Sequence, residues 1–133
     1  EDEERAEELA LARLEAREER IRRTDEELLT RARRLTSRYL SDHAERVRPA
    51  SVRWVTNQNG RWGSCTPDDG TIRLSDRLAL WPPWVRDYVL VHELAHLAVP
   101  DHSPAFWRLV DRYPLSERAR GFLIAKGMED DEI

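Results

Sequence analysis

The stretch that decides the fold is an apolar run carrying two histidines and a glutamate, Tyr88-Val89-Leu90-Val91-His92-Glu93-Leu94-Ala95-His96-Leu97-Ala98. In a helix turning about 100° per residue, His92 and His96 lie within about 40° of one another, one turn apart. Two imidazoles placed in this way can bind one zinc ion at Zn–N distances of about 2.0–2.1 Å. Glu93 lies about 60° round the helix from His96, where it can contact a water but cannot serve as an equivalent ligand. The pattern is therefore HExxH, with two metal ligands and one general base.

A third ligand is offered by His102, six residues beyond His96. The pair Val99-Pro100 should end the helix, because proline disfavours the helical conformation at the residue before it. Three histidines leave the fourth position around zinc for water or substrate, which is typical of a catalytic site. The alternative is that these are ordinary core or surface histidines. Three of the four histidines of the chain fall in this one window, and Glu93 would otherwise be an unexplained charge on an apolar helix. We therefore expect one Zn²⁺ per chain.

Length and composition predict a single domain with a real core, since the chain has 133 residues. The net charge of −4 argues against nonspecific binding to nucleic acid, although it leaves local basic patches open. The single cysteine, Cys65, excludes an internal disulfide framework and suits a reducing compartment, so we expect a cytoplasmic protein. No apolar run reaches the roughly 18 residues of a membrane span, and none resembles a secretory signal. We expect no membrane association.

Residues 1–23 are predicted to form a charged helical extension, because Glu, Arg and Ala dominate them. Apolar residues recur every seven positions at Leu14, Ile21, Leu28 and Leu35. The matching heptad positions are occupied by Ala10, Arg17, Thr24 and Arg31. These make a poor seam, so a solvated helix is favoured over a coiled coil.

A new helix is predicted to begin at Thr24, because Thr24 and Glu27 have the spacing of a capping box. Its apolar face consists of Leu28, Ala32, Leu35 and Tyr39, and Pro49 should close it.

Three short strands are predicted at residues 51–56, 61–65 and 71–75. The turn signals between them are Asn57-Gln58-Asn59-Gly60 and Pro67-Asp68-Asp69-Gly70. We expect a small antiparallel meander. The HExxH helix should begin at Trp81-Pro82-Pro83, since proline is tolerated in the first turn. The predicted fold class is α+β, with an antiparallel three-stranded sheet packed on the HExxH helix and flanked by further helices.

Two helices are predicted after the site. Ser103-Pro104 has the pattern of an N-cap followed by proline at the first helical position. The last helix should end at Gly127. Residues 129–133 are predicted to be an acidic disordered tail. The predicted division is thus an N-terminal extension (1–23), a catalytic domain (24–128) and a tail (129–133).

Four blocks in order carry a family resemblance: Arg61-Trp62-Gly63-Ser64-Cys65, Gly70-Thr71-Ile72-Arg73-Leu74-Ser75, Asp87-Tyr88-Val89-Leu90-Val91-His92-Glu93-Leu94-Ala95-His96-Leu97 and His102-Ser103-Pro104-Ala105-Phe106-Trp107. Together they resemble the YgjP-like metallopeptidases, which are similar to the WLM and SprT-like zinc proteases in their minimal zincin fold. The resemblance runs from about Thr24 to Phe122. It implies a zinc metalloendopeptidase that acts on a peptide or protein substrate, with His92, His96 and His102 as ligands and Glu93 as the catalytic base.

Candidate substrate-binding residues lie on the second predicted strand, at Arg61, Trp62, Gly63 and Ser64. Glycine inside a strand indicates a bulge or a close approach of another backbone, and an edge strand can hold an extended peptide through its main chain. Tyr88, one turn before His92, is a further candidate to line the cleft and to help an oxyanion. The alternative is packing, with Trp62 and Gly63 against the HExxH helix and Tyr88 in the core.

Two other functions remain open. One is a binding module with a structural zinc, which would need a fourth protein ligand such as Cys65 or Asp101. The other is a DNA-associated protease like the SprT group, with a basic surface formed by Arg20, Arg22, Arg23, Arg31, Arg33, Arg34 and Arg38. Glutamates are interleaved with these arginines, so nucleic acid is a possible partner but not the favoured one.

Overall fold

The computed structural model describes residues 1–56 and 60–127. This part of the chain has the predicted α+β fold, with four α-helices and a three-stranded sheet. The helices are α1 (Asp2–Tyr39), α2 (Pro83–Ala98), α3 (Pro104–Val110) and α4 (Ser116–Ala125), and the strands are β1 (Ser51–Val55), β2 (Gly63–Thr66) and β3 (Thr71–Ser75). Single 3₁₀ segments follow α1 and β3, at Ser41–His43 and Asp76–Leu80. None of the helices in this part is long and apolar enough to cross a membrane.

The sheet is mixed, so the predicted antiparallel meander is wrong in the position of β1. Strands β2 and β3 form the expected antiparallel hairpin across the turn at 67–70, but β1 pairs in parallel with the opposite edge of β3. Alternating apolar residues specify which face of a strand is buried but not which strand lies beside it. The middle strand β3 contributes Ile72 and Leu74, whose exposure is zero. This order leaves β2 as an edge strand.

Helix α1 is continuous, so the helix start predicted at Thr24 is wrong. The Thr24 hydroxyl donates a hydrogen bond of 2.8 Å to the Arg20 carbonyl one turn earlier, which accommodates threonine inside a helix without a break. The helix then ends at Tyr39, ten residues before Pro49. Leu28, Ala32 and Leu35 are buried, which confirms the predicted apolar face.

All residues from 1 to 23 are exposed. Because α1 passes through Thr24 without interruption, the boundary between residues 23 and 24 stays a prediction. The acidic tail at 129–133, Met128 and the first three residues of the turn at 57–60 lie outside the described residues.

Helix α2 is the central element, since it packs against β2, β3 and the other three helices. A bidentate ion pair holds it to α1. Arg31 donates to Asp87 from Nη2 to Oδ2 at 2.6 Å and from Nε to Oδ1 at 3.2 Å. Asp87 is buried, and Arg86 also donates to it at 3.0 Å. Removing Arg31 would leave the buried Asp87 carboxylate with Arg86 as its remaining partner, so this contact helps to fix how α2 packs on α1.

Candidate metal centre

Helix α2 carries His92, Glu93 and His96 into the interior. Eleven of its 16 residues are buried, including His92 and Glu93 at 3% and 6% exposure. It begins at Pro83, as predicted, and ends at Ala98 with Val99 in an extended conformation. That ending is the effect expected of Pro100, and it directs the chain back over the C-terminal turn of α2.

His102 is brought back to the two helical histidines by this turn. Candidate ligand atoms of His92, His96 and His102 all lie within 4.8 Å of one another, and Nε2 of His96 lies 3.1 Å from Nε2 of His102. Two nitrogens bound to one tetrahedral zinc ion at about 2.0–2.1 Å would lie about 3.3 Å apart. The spacing of the three histidines thus fits one metal ion.

Hydrogen bonding and burial keep these imidazoles neutral, with a nitrogen lone pair available to a metal ion. The Val99 carbonyl can only accept, so Nδ1 of His96, at 3.1 Å, must carry the proton and leave a lone pair on Nε2. Burial lowers the pKa of His92 well below its ordinary value, helped by repulsion from the other two histidines, and burial lowers the pKa of His96 in the same direction. The neutral imidazoles that result are the form that binds metal.

Two aromatic rings of α3 form a wall behind the histidines. Phe106 stacks on His96 with ring centroids 4.2 Å apart, and Trp107 stacks on His102 at 5.6 Å. Ser103 caps this helix by accepting from the Phe106 N–H at 3.5 Å. The sequence predicts a capped helix here but not that its aromatic rings would contact the histidines. The available signal was that Phe106 and Trp107 follow His102 by four and five residues, within a capped helix.

Glu93 lies against β2 at Gly63. A Cβ on Gly63 would lie 2.8 Å from Cγ1 of Val89, 3.1 Å from Oε2 of Glu93 and 3.2 Å from its Cγ. A side chain here would displace these groups, so Gly63 does permit a close approach, but of side chains of α2 and not of the backbone that the sequence predicts. Strand β2 starts at Gly63, two residues later than predicted.

The thiol of Cys65 hydrogen-bonds to the Glu93 carboxyl from the same strand. Burial raises the pKa of Cys65 to about 12, so the thiol keeps its proton and acts as the donor. Burial also raises the pKa of Glu93 to about 8, against smaller lowering effects from the Cys65 hydrogen bond and from the charges of Arg61 and Arg73. Among the described residues, neither Cys65 nor Asp101 joins the histidine cluster as a fourth metal ligand.

A cleft of about 810 Å³ opens in front of the histidines and Glu93. Of the predicted substrate-binding residues, Arg61, Gly63 and Ser64 line it. Trp62 and Tyr88 do not. Trp62 is 3% exposed and packs on Trp81 with ring centroids 4.8 Å apart, and Tyr88 is fully buried in the core. The lining also includes residues that were not predicted to bind substrate: Val55, Cys65, Pro67, Arg73, Ser75 and Pro100.

Comparison with known proteins agrees with this geometry. Residues 1–120 match the family described as YgjP-like, metallopeptidase domain. The match begins at residue 1, whereas the sequence blocks place the resemblance after residue 23. Among solved structures, the chain is similar to the metallopeptidase zymogen of Pyrococcus abyssi abylysin, with 26% identity and a TM-score of 0.53. That similarity covers 65% of this chain and 90% of the abylysin chain. No curated protein matches the chain.

The family match spans most of the sequence and contains both histidines of α2, Glu93 and His102. It therefore covers the whole of the site described above, and the chain belongs to the YgjP-like metallopeptidase family.

Proposed function

We propose that this protein is a zinc-dependent endopeptidase in which His92, His96 and His102 hold one zinc ion and Glu93 is the general base. The observation that carries the proposal is the convergence of three imidazoles to within 4.8 Å, beside a buried carboxyl on an open cleft. Three histidines with an open fourth position are a donor set typical of catalytic zinc.

Zinc bound at this site would polarise a water molecule and lower its pKa towards about 7. Glu93 can accept the proton of that water at a carboxylate oxygen and then donate it to the leaving nitrogen of the peptide. Its pKa of about 8 is set mainly by burial, and a nearby divalent cation lowers the pKa of a carboxyl. The hydrogen bond from the Cys65 thiol and the contact with Gly63 hold the carboxyl in place for both transfers.

An extended substrate can lie along β2. This strand pairs with β3 on one side only, so its other edge can donate and accept main-chain hydrogen bonds. Arg61, Gly63 and Ser64 line the cleft at this edge. Pairing through the main chain tolerates many substrate sequences, as expected of an endopeptidase that acts on peptides or unfolded proteins.

The two other functions receive less support. A structural zinc needs four protein ligands, and the described residues bring together three. A DNA-binding surface on α1 is weakened by ion pairs, since Arg22 contacts Glu19 at 2.7 Å and Arg31 contacts Asp87 at 2.6 Å. We also propose a cytoplasmic location, because the one thiol of the chain can form no internal disulfide.

Metal analysis combined with a peptidase assay tests the proposal. The purified parent should contain one zinc per chain and should cleave an unfolded protein or a mixed peptide library. His102→Ala should lose both properties. His43→Ala is the matched control, because it removes the remaining histidine, which lies beside Asp42 and outside the cluster. Full zinc content in His102→Ala, or zinc loss in His43→Ala, would contradict the ligand assignment.

A further inference from the structure

Arg73 occupies an unusual position in the wall of the cleft. It lies in the middle strand β3, opposite Ser64 of β2, and it is half-buried. Its guanidinium donates to three hydroxyl groups, with Nε to Ser64 at 2.9 Å, Nη2 to Thr66 at 3.0 Å and Nη1 to Thr71 at 3.3 Å. Hydroxyl groups orient a guanidinium without neutralising it, and among the described residues Arg73 forms no ion pair; only the longer-range charges of Glu93 and Asp69 act on it.

These three bonds do not use all the N–H donors of the Arg73 guanidinium. A guanidinium has five N–H donors, so three bonds to hydroxyl groups leave two donors available within the described part of the chain. Arginine remains charged at any relevant pH, and its planar fork suits carboxylates. The three hydroxyls therefore hold a cation in a fixed orientation with donors to spare.

The charge of the cleft is positive around Arg73. Arg61 is exposed at the same cleft and forms no ion pair among the described residues. The only carboxyl group among the lining residues that the structure describes is Glu93, which the proposed mechanism already uses. Asp69 lies in the turn before β3, where it is exposed and outside the cleft lining; its carboxylate accepts from the N–H and hydroxyl of Thr71, and the charge of Arg73 contributes less to lowering its pKa than these bonds do.

We propose that Arg73, assisted by Arg61, binds a carboxylate of the substrate and so gives the enzyme a preference for acidic peptides. The carboxylate can belong to an Asp or Glu side chain or to a free C-terminus. This inference rests on the proposed peptidase function and names its substrate class.

The register of the sheet places Arg73 close to Glu93, the proposed general base. Ser64, which is paired with Arg73, directly follows Gly63, and Gly63 contacts Glu93. Successive residues of a strand are about 3.3 Å apart. If an extended substrate lies along β2 with its scissile peptide bond beside Glu93, the substrate residue next to Arg73 is one or two positions away from that bond.

A different role for Arg73 must be separated from this one. The charges of Arg61 and Arg73 also favour the ionised form of Glu93. If that were their whole contribution, removing either charge would slow the cleavage of acidic and neutral peptides by the same factor. Binding to a carboxylate instead predicts a loss confined to acidic peptides.

Peptide binding to the zinc-loaded Glu93→Gln protein tests the proposal without substrate turnover. Four fluorescent peptides would be compared. They share one sequence except at two central positions, which are both Glu or both Gln, and each version has either a free or an amidated C-terminus. We expect the best acidic peptide to bind roughly ten-fold more tightly than the amidated Gln peptide, as for a charge-assisted hydrogen bond in a half-open site. Which carboxylate confers the advantage identifies the source.

The same measurement on further variants assigns the effect to its residue. Adding Arg73→Gln should reduce the ten-fold preference to about two-fold or less, and adding Arg61→Gln should reduce it partly. Arg53→Gln is the matched control, since Arg53 is exposed, lies beside Arg73 on β1 and does not line the cleft. It should leave the preference unchanged. Because Arg73 also joins β2 to β3, Arg73→Lys and the exposed Arg61→Gln provide tests in case Arg73→Gln unfolds.

Equal binding of all four peptides, no binding at millimolar concentration, or a preference that survives both arginine substitutions would overturn the proposal. In the peptidase assay, a uniform loss of rate for acidic and neutral peptides in Arg61→Gln would overturn it as well. Failure of the peptidase proposal has a different signature, because the parent would then cleave no peptide while the binding preference could still be measured.

Discussion

The first half of α1 and the whole of α2 are helical for different reasons. Residues 1–23 are exposed throughout, with Leu14 and Ile21 more than half exposed. In α2, eleven of 16 residues are buried and the mean composition is apolar. The former is helical because Ala, Glu and Arg are strong helix formers, and the latter because tertiary contacts hold it.

This difference determines which helix can hold metal ligands and a general base in fixed positions. A buried helix fixes its side chains by packing, so the positions of His92 and Glu93 are set to within the tolerance of the core. An exposed helix fixes only its own backbone. The metal ligands and the proposed base accordingly lie on α2, and the N-terminal half of α1 contributes no residue to the cleft.

The largest effect is expected from Glu93→Gln on α2. The amide keeps the shape of the side chain but cannot accept a proton, so peptide cleavage should fall by about 10²–10⁴-fold. Zinc content should stay at one per chain, as measured by metal analysis beside the kinetic assay. Cleavage at the parental rate would show that Glu93 is not the base.

A matched pair of leucines measures the difference between the two helices directly. Leu90 is fully buried in α2 and Leu14 is 56% exposed in α1. Leu90→Ala should lower the free energy of unfolding by about 2–5 kcal/mol, and Leu14→Ala by less than about 0.5 kcal/mol. Urea unfolding curves provide both values, and similar losses would show that the N-terminal half of α1 is packed in solution.

The buried carboxyl of Glu93 on α2 should appear as a pH dependence of stability. An unfolded Glu93 ionises near its ordinary pKa of 4.5, while the folded carboxyl keeps its proton up to about 8. In metal-free protein, the free energy of unfolding of the parent should therefore fall relative to Glu93→Gln as the pH rises from about 4.5 to about 8. Unfolding curves of the two proteins across this range, with chelator present, test the prediction. A constant difference would contradict it.

Removing the metal should lower the melting temperature, because the ligands come from two segments, α2 and the turn at His102, that one ion would join. We expect a loss of several degrees with chelator and recovery on adding zinc. The control is His102→Ala, whose melting temperature should not respond to chelator. An unchanged parental curve after verified loss of metal would show that the fold alone holds the site.

The smallest effect is expected from deleting residues 1–23. A chain starting at Thr24 loses only exposed residues, and Thr24 with Glu27 can then form the capping box that the intact helix does not use. Stability should stay within about 0.5 kcal/mol and zinc content should stay at one. Aggregation or loss of metal in the shortened chain would show that this half of α1 is part of the catalytic domain.

The features that the sequence predicts well are local. The spacing of His92, Glu93 and His96 follows from helix geometry, and Pro100 explains why the chain turns there towards His102. The start of α2 at Pro83 likewise depends on local residues, and α4 ends at Ala125, two residues before the predicted Gly127, whose backbone is left-handed. Each of these predictions needed only neighbouring residues.

The features that the sequence analysis misses depend on contacts between distant segments. The parallel pairing of β1 with β3 is decided by packing, as is the contact of Gly63 with Glu93. Arg73 was part of a predicted strand, but its orientation towards the cleft depends on hydroxyls supplied by β2. The error at Thr24 is of another kind, because threonine forms a cap or bonds within a helix equally well and the surrounding residues favoured the helix.

The length of α1 has a practical consequence for measuring molecular size. Its 38 residues extend about 57 Å, whereas a compact chain of 133 residues has a radius of gyration of only about 14 Å. A protruding rod increases hydrodynamic friction, so a monomer of 15.6 kDa will elute earlier from a gel-filtration column than its mass suggests. An elution volume typical of a compact dimer is therefore compatible with a single chain. Light scattering, which measures mass independently of shape, will assign the number of subunits.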